Sequence, residues 1–216
     1  MEELRKYINK LRHDFGKKLL TEADAGDDPF RFFNLWFHEA VDAMVNEPNA
    51  MVLSTVGADS VPSSRIVLLR NFDEKGIVFY TNYNSEKAKD LRANNSVSLL
   101  FFWPELERQV RLEGIATRQS ESESDQYFSS RPRSSQIGAW VSAQSAVIGS
   151  RDELDIRFTE LSKKFEGREV SRPPHWGGFL VDIRSFEFWQ GRPNRLHDRI
   201  LFTKSKAGWT RVRLAP

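Results

Sequence analysis

From Phe30 to Met44 apolar side chains return every three or four residues: Phe30, Phe33, Trp36, Phe37, Ala40, Val41 and Met44. That spacing predicts a helix with one packing face, started by Asp28 as cap and Pro29 at the first helical position. Upstream, Met1 to Leu20 is charged throughout and reads as helix, and Thr21 to Asp28 reads as a polar linker around Gly26. From residue 50 the pattern changes to short β-prone runs. Ala50 to Val56, Arg65 to Phe72, Ile77 to Thr81, Val97 to Trp103 and Gln109 to Thr117 read as strands, with Asp73-Glu74-Lys75-Gly76 as a turn. Ser85 to Ala93 predicts a short helix. Another starts with the capping-box pattern Ser150-Arg151-Asp152-Glu153, and Leu154, Phe158, Leu161 and Phe165 form its stripe. Gly177-Gly178 leads into a strand region, Phe179 to Trp189, and Leu201 to Thr203 with Trp209 to Leu214 predict a final hairpin. There is no internal repeat, and the Ser/Glu-rich stretch Gln119 to Asp125 is too short for low complexity. The pattern predicts a mainly β chain with helical additions, built as an antiparallel barrel. Residues 1–27 are expected to be a charged helix and linker ahead of a single domain, 28–216.

Composition narrows the class. The 32 Lys and Arg residues nearly cancel 30 Asp and Glu, so the pI of 8.9 reflects a small excess of base and implies no nucleic-acid partner. Sixteen Phe and six Trp supply aromatic surface for a core, an interface or a ring-binding pocket. Cysteine is absent, which excludes disulfides, thiolate catalysis and Cys-ligated metal centres, and fits a reducing compartment. The first eighteen residues have no apolar leader core, and the densest apolar run, Val97 to Trp103, is too short to span a bilayer. A soluble, cytoplasmic protein without a membrane partner is expected.

Candidate chemistry gathers near the C-terminus. Glu187-Phe188-Trp189-Gln190-Gly191 and Arg195-Leu196-His197-Asp198-Arg199 supply an indole, an amide, two guanidiniums, an imidazole and carboxylates. That mixture suits an aromatic, anionic small molecule. A strand end followed by a loop of internal Arg–Asp pairs has the same composition. Three further patterns suit anions. Tyr80-Thr81 precedes Ser85-Glu86-Lys87 at a helix start, where free N–H groups and positive potential attract phosphate; a plain Ser cap beside an exposed Lys looks identical. Tyr127 to Ser135 holds Arg131, Arg133 and several hydroxyls, as ordinary linkers also do. Arg195 and Arg199 form the last set. Arg65 and Arg70 bracket an apolar run, either reaching an anion or snorkelling. No GxGxxG, GxxxxGK[ST] or GxSxG pattern occurs, and His13, His38, His175 and His197 lack metal-ligand spacing.

Taken together, R-I-V-L-L-R, F-Y-T-N with S-E-K-A, E-R-Q-V, Y-F-x-S-R-P-R-S-S-Q-I-G-A-W-V-S-x-Q-S, W-G-G, E-F-W-Q-G, R-L-H-D-R and the terminal R-L-A-P resemble the pyridoxamine 5′-phosphate oxidase family, from about Asp28 to Pro216. The resemblance implies an FMN-binding split β-barrel of antiparallel Greek-key type, acting as a homodimer with the flavin shared at the interface. It implies oxidation of pyridoxamine or pyridoxine 5′-phosphate to pyridoxal 5′-phosphate by dioxygen, with hydrogen peroxide formed and ammonia released from the amine. Carried over residue by residue, FMN is contacted by Arg65, Ile66, Val67, Leu68, Leu69, Arg70, Tyr80, Thr81, Glu86, Lys87, Gln109, Gln144, Ser145, Trp189 and Arg199. The substrate phosphate meets Arg70, Tyr127, Arg131 and Ser135, and Arg12 from the N-terminal segment helps cover the substrate. Arg195 and His197 face the substrate ring as the catalytic pair. Three positions depart from the family pattern: Arg70 stands where Lys is usual, Glu86 where Arg is common, and Phe15 where a tyrosine helps cover the substrate. A non-catalytic FMN or pyridoxal phosphate carrier and a nicotinamide-dependent flavin reductase are the alternatives on the same barrel.

Overall fold

The computed structural model describes residues 2–10, 15–16 and 18–216. Helices are α1 (Glu2–Lys10), α2 (Glu22–Ala25), α3 (Pro29–Asp42), α4 (Glu86–Ala93), α5 (Glu121–Ser130), α6 (Arg133–Val141) and α7 (Asp152–Lys164). Strands are β1 (Ala50–Val56), β2 (Pro62–Leu68), β3 (Asn71–Asp73), β4 (Gly76–Asn82), β5 (Ser96–Trp103), β6 (Arg108–Arg118), β7 (Trp176–Gln190), β8 (Asp198–Ser205) and β9 (Gly208–Leu214). The strands hydrogen-bond in the order β2-β1-β5-β6-β7-β4-β3, with β8 between β7 and β9. The β1–β2, β3–β4, β4–β7, β7–β8 and β8–β9 pairs are all antiparallel.

These elements form two compact units: residues 1–48, 100–112 and 185–216, and residues 49–99 and 113–184. Residues 1–48 belong to one unit with the last strands.

The first unit is built on α3. Asp28 caps it through the Phe30 and Arg31 N–H groups, and Pro29 occupies its first turn. The buried stripe is Phe32, Phe33, Trp36 and Ala40, rotated from the expected one, and Met44 is 87% exposed. Phe33 packs on Phe101, and Phe32 and Trp36 pack on Phe188. Each such buried ring contributes about 1.5–3 kcal/mol. The expected polar linker contains α2, closed by a Thr21/Asp24 capping box. Residues 18–20 are not helical, so the expected helix over Met1 to Leu20 is limited to α1 among the described residues.

In the second unit, Met51, Leu53, Ile77, Phe79, Phe179 and Val181 are buried, and Phe128, Ile137, Val141, Val170 and Trp176 form a further cluster under α5, α6 and α7. The run Arg65 to Phe72 is two strands rather than one. At the break, Leu69 N–H donates to Asn49 O at 2.8 Å and Arg70 N–H donates to Val78 O at 2.9 Å, so the chain passes from β1 to β4 as its partner. Helices α5 and α6 occupy the stretch read as a Ser/Glu tract and a Ser/Arg/Pro loop. At α7 the Ser150 capping box does not form: Arg151 is already in helical conformation, and Glu153 accepts the Gly149 N–H instead.

Candidate functional site

Strand alternation and helix placement bring the R-I-V-L-L-R, Y-T, Lys87 and Tyr127-to-Arg131 residues around one cavity of about 480 Å³ in the second unit. Its wall holds Arg65, Ile66, Val67, Leu68, Arg70, Tyr80, Thr81, Lys87, Tyr127, Arg131, Gln144 and Trp176. Four of these carry cationic groups and none carries a carboxylate. Arg65 extends from β2, donating to Thr55 Oγ1 at 2.6 Å and to the Leu53 and Ser63 carbonyls, with Asp90 of α4 at 3.8 Å. Lys87, in the first turn of α4, donates to Gln144 Oε1 at 2.9 Å and to the Thr81 hydroxyl at 3.3 Å. Burial pushes the Lys87 pKa down, and the charge of Arg65 adds to that. Both effects are relieved by an anion.

The other end of the cavity is aromatic. Tyr80 on β4 stacks on Tyr127 of α5 with ring centres 3.9 Å apart and on Trp176 of β7 at 5.2 Å. The antiparallel register sets Tyr80 opposite Gly178 and Trp176 opposite Asn82, so Tyr80 and Trp176 are diagonal neighbours on one face. Burial, ahead of the nearby Tyr127, pushes the Tyr80 pKa up to about 12, which keeps its phenol a proton donor. The Arg131 guanidinium lies 4.5 Å from the Trp176 ring centre, and its Nη1 is buried without an acceptor among the described residues. Burial pulls the Arg131 pKa down, Tyr127 opposes this, and Arg70 lowers it further.

Other expected contacts lie beside this cavity. Glu86 turns its carboxylate to Lys89 at 2.6 Å, while its N–H donates to the Ser145 hydroxyl at 3.4 Å; Ser145 itself has a left-handed φ of 72°. Leu69 is held by Asn49, and Ser135 sits in the first turn of α6 with its N–H on Pro132 O. Arg12 lies outside the described residues.

Gln109, Trp189, Arg195, His197 and Arg199 belong to the first unit. Pairing of β7 with β8 sets Trp189 opposite Arg199. Buried Glu187 accepts from Arg199 Nε at 2.8 Å and from Arg111 at 2.5 Å, and Arg199 Nη1 donates to the Ala215 carbonyl. Arg199 is therefore ion-paired with Glu187 of β7 and not with an aspartate of its own loop, while Asp198 pairs with Arg192 at 3.3 Å and Arg213 at 2.9 Å. His197 lies 4.6 Å from the Trp189 ring centre, and its Nδ1 accepts the Arg192 N–H at 3.1 Å. That bond leaves the proton on Nε2. Burial first, and the charge of Arg195 second, lower the His197 pKa. Arg195 is exposed, on a turn where Asn194 and Arg195 both have positive φ. Phe15 meets Trp189 and His197 edge-on at 5.7 and 5.5 Å, and a Cβ on Gly191 would fall 2.7 Å from its ring. Glycine at 191 is what allows this approach.

Trp176, which floors the cavity, was visible in the sequence only as part of W-G-G. Helix α5 carries a local start signal in the sequence, the Ser120/Glu123 capping box.

Residues 37–165 match the family described as pyridoxamine 5′-phosphate oxidase, and residues 176–216 match a pyridoxine 5′-phosphate oxidase C-terminal dimerisation region. The chain is 54% identical, over 100% of its length and 99% of the relative's, to a pyridoxine/pyridoxamine 5′-phosphate oxidase of Rubrobacter xylanophilus. Among solved structures, PhzG from Burkholderia lata in complex with tetrahydrophenazine-1-carboxylic acid superposes with a TM-score of 0.88 at 29% identity, covering 93% of this chain and 99% of that one. A pyridoxamine 5′-phosphate oxidase-related, FMN-binding protein of Nostoc punctiforme has a TM-score of 0.68 at 16% identity, covering 88% and 98%. The expected fold class, mainly antiparallel β of the split-barrel type with helical additions, is the one these structures share. With most of its length matched and over half its residues identical to a full-length relative, the chain belongs to the pyridoxamine 5′-phosphate oxidase family.

Proposed function

We propose that this protein is an FMN-dependent oxidase that converts pyridoxamine or pyridoxine 5′-phosphate and dioxygen to pyridoxal 5′-phosphate and hydrogen peroxide, with ammonia from the amine. We further propose a homodimer with its sites at the interface, working in the cytoplasm, to which the cysteine-free composition is suited. The observation that carries the reading is the carboxylate-free cavity with an unsatisfied, buried Arg131 Nη1. A buried guanidinium N–H without an acceptor is costly, and a phosphate oxygen removes that cost.

The residues fit both phosphates. Arg65, Thr81, Lys87 and the first turn of α4 would hold the flavin phosphate, with Ile66 to Leu69, Tyr80, Gln109, Gln144, Ser145, Trp189 and Arg199 around the rest. When bound, FMN supplies the two-electron acceptor that dioxygen regenerates. Arg70, Tyr127, Arg131 and Ser135 would grip the substrate phosphate, turning binding energy into orientation of the reacting C4′ carbon. Arg195 covers the substrate ring with a planar cation. His197, neutral and protonated on Nε2, donates a hydrogen bond to a ring substituent; its Nδ1 lone pair is already used by Arg192. Phe15 shields the Trp189 and His197 rings from water without offering a hydroxyl.

An aerobic assay without any nicotinamide tests the reading. Pyridoxal phosphate and hydrogen peroxide should appear in equal amounts from pyridoxine phosphate. Product formed only when a nicotinamide donor is supplied would contradict it.

A further inference from the structure

Arg108 opens β6, and its side chain is only 4% exposed. A buried guanidinium is costly unless its donors and its faces find partners. Its Nε donates to Gln190 Oε1 at 2.9 Å, its Nη1 donates to Glu39 of α3, and its Cζ lies 4.2 Å from the Trp36 ring centre. Gln190, fully buried, extends the linkage: its Nε2 donates to the Leu106 and Glu107 carbonyls, each at 3.2 Å. The Glu107 carbonyl also accepts the Gly191 N–H at 2.8 Å. All of these residues belong to the first unit.

The network occupies one face of two strand ends. Side chains alternate across a strand, so inward Arg108 and Gln190 leave their neighbours Gln109 and Trp189 on the opposite face. Burial follows the same alternation: Arg108 and Val110 are buried with Gln109 half-buried, and Phe188 and Gln190 are buried with Trp189 half-buried. A slip of one residue on either strand would turn these side chains away. We propose that Arg108 is a positioning residue, which through Gln190 and Glu39 fixes the ends of β6 and β7 so that Gln109 and Trp189 present their side chains to FMN. This rests on the assignment of Gln109 and Trp189 to the flavin. Lysine could not replace Arg108, because one ammonium lacks the rigid fork that bonds Gln190 and Glu39 together while keeping its charge over Trp36.

The test measures FMN affinity and the visible circular dichroism of the bound flavin in the full-length protein. Arg108→Lys should weaken FMN about tenfold and change the dichroism, a coupling of the size seen between contacting residues. In a Gln109→Ala/Trp189→Phe background the same substitution should cost less than about twofold. An undiminished tenfold loss there would overturn the proposal, since Arg108 would then act on the fold at large. If Arg108→Lys does not fold, Glu39→Gln removes the charge of one partner at a less buried site and should give about a threefold loss with the same dichroism change. Unchanged affinity and dichroism in Glu39→Gln would also overturn it. If Gln109→Ala/Trp189→Phe alone leaves FMN affinity untouched, the flavin assignment of those residues fails and the role of Arg108 falls with it.

Discussion

At the scale of single residues, the account turns on where charge is left unbalanced. Among the described residues Arg131 has a buried N–H without an acceptor, whereas Arg199 is committed to Glu187 and the Ala215 carbonyl. Arg131→Ala should therefore weaken phosphorylated substrate by about 1.5–3 kcal/mol, the range for hydrogen bonds to charged groups, with FMN content nearly normal. Flavin loss at unchanged substrate affinity would show that the two phosphate sites are exchanged. His197 makes a prediction about pH. Its folded pKa lies below its ordinary value of 6.5 because burial and Arg195 disfavour the charged form. Below about pH 6.5 the unfolded chain takes up the proton first, so stability falls as pH drops from there through the folded pKa, and is fully present only above about pH 6.5. His197→Asn should flatten that part of the profile of melting temperature against pH; an unchanged slope would remove His197 as its source. Sequence identified most cavity residues because phosphate chemistry needs recognisable types, Arg, Lys, Thr and Tyr. It did not show that Glu187 satisfies Arg199, because a cross-strand diagonal has no local signature.

Elements explain what periodicity made legible. Strands β1, β4, β5, β6 and β8 follow the apolar pattern to within a residue or a few at their ends, since each buries side chains on one face or both, and β9, half-buried at best, follows as the second strand of the β8–β9 hairpin. Helices α5 and α6 have no clear apolar period because their exposed positions are Ser, Glu, Asp, Gln and Arg and only a few of their residues are buried. The split of β2 from β3 was hidden because the apolar run continues while its hydrogen-bonding partner changes. Helix α4 carries the departure at Glu86, whose carboxylate faces Lys89 at its exposed N-terminus rather than the cavity. Glu86→Arg replaces an anion with a cation near the proposed flavin phosphate. It should tighten FMN by about 0.3–1 kcal/mol, as for other charges near a helix end. A fluorescence titration reads this directly; weaker binding would mean that the Glu86–Lys89 pair itself supports the cradle.

For the whole molecule, family membership and the match to a dimerisation region over residues 176–216 make subunit association part of the proposed chemistry. If both subunits hold each flavin, dilution should release FMN in step with dimer dissociation, followed by sedimentation at a series of protein concentrations. A monomer retaining stoichiometric flavin would contradict the shared site. The most direct measurement of the central claim is anaerobic: pyridoxine 5′-phosphate is mixed with the flavin-loaded protein, with no nicotinamide present, while the visible flavin band is recorded. An oxidase whose cavity grips the phosphate and aims C4′ bleaches the band in a single turnover, and admitting dioxygen restores it. A band that stays unchanged with substrate bound would identify a carrier and contradict the account.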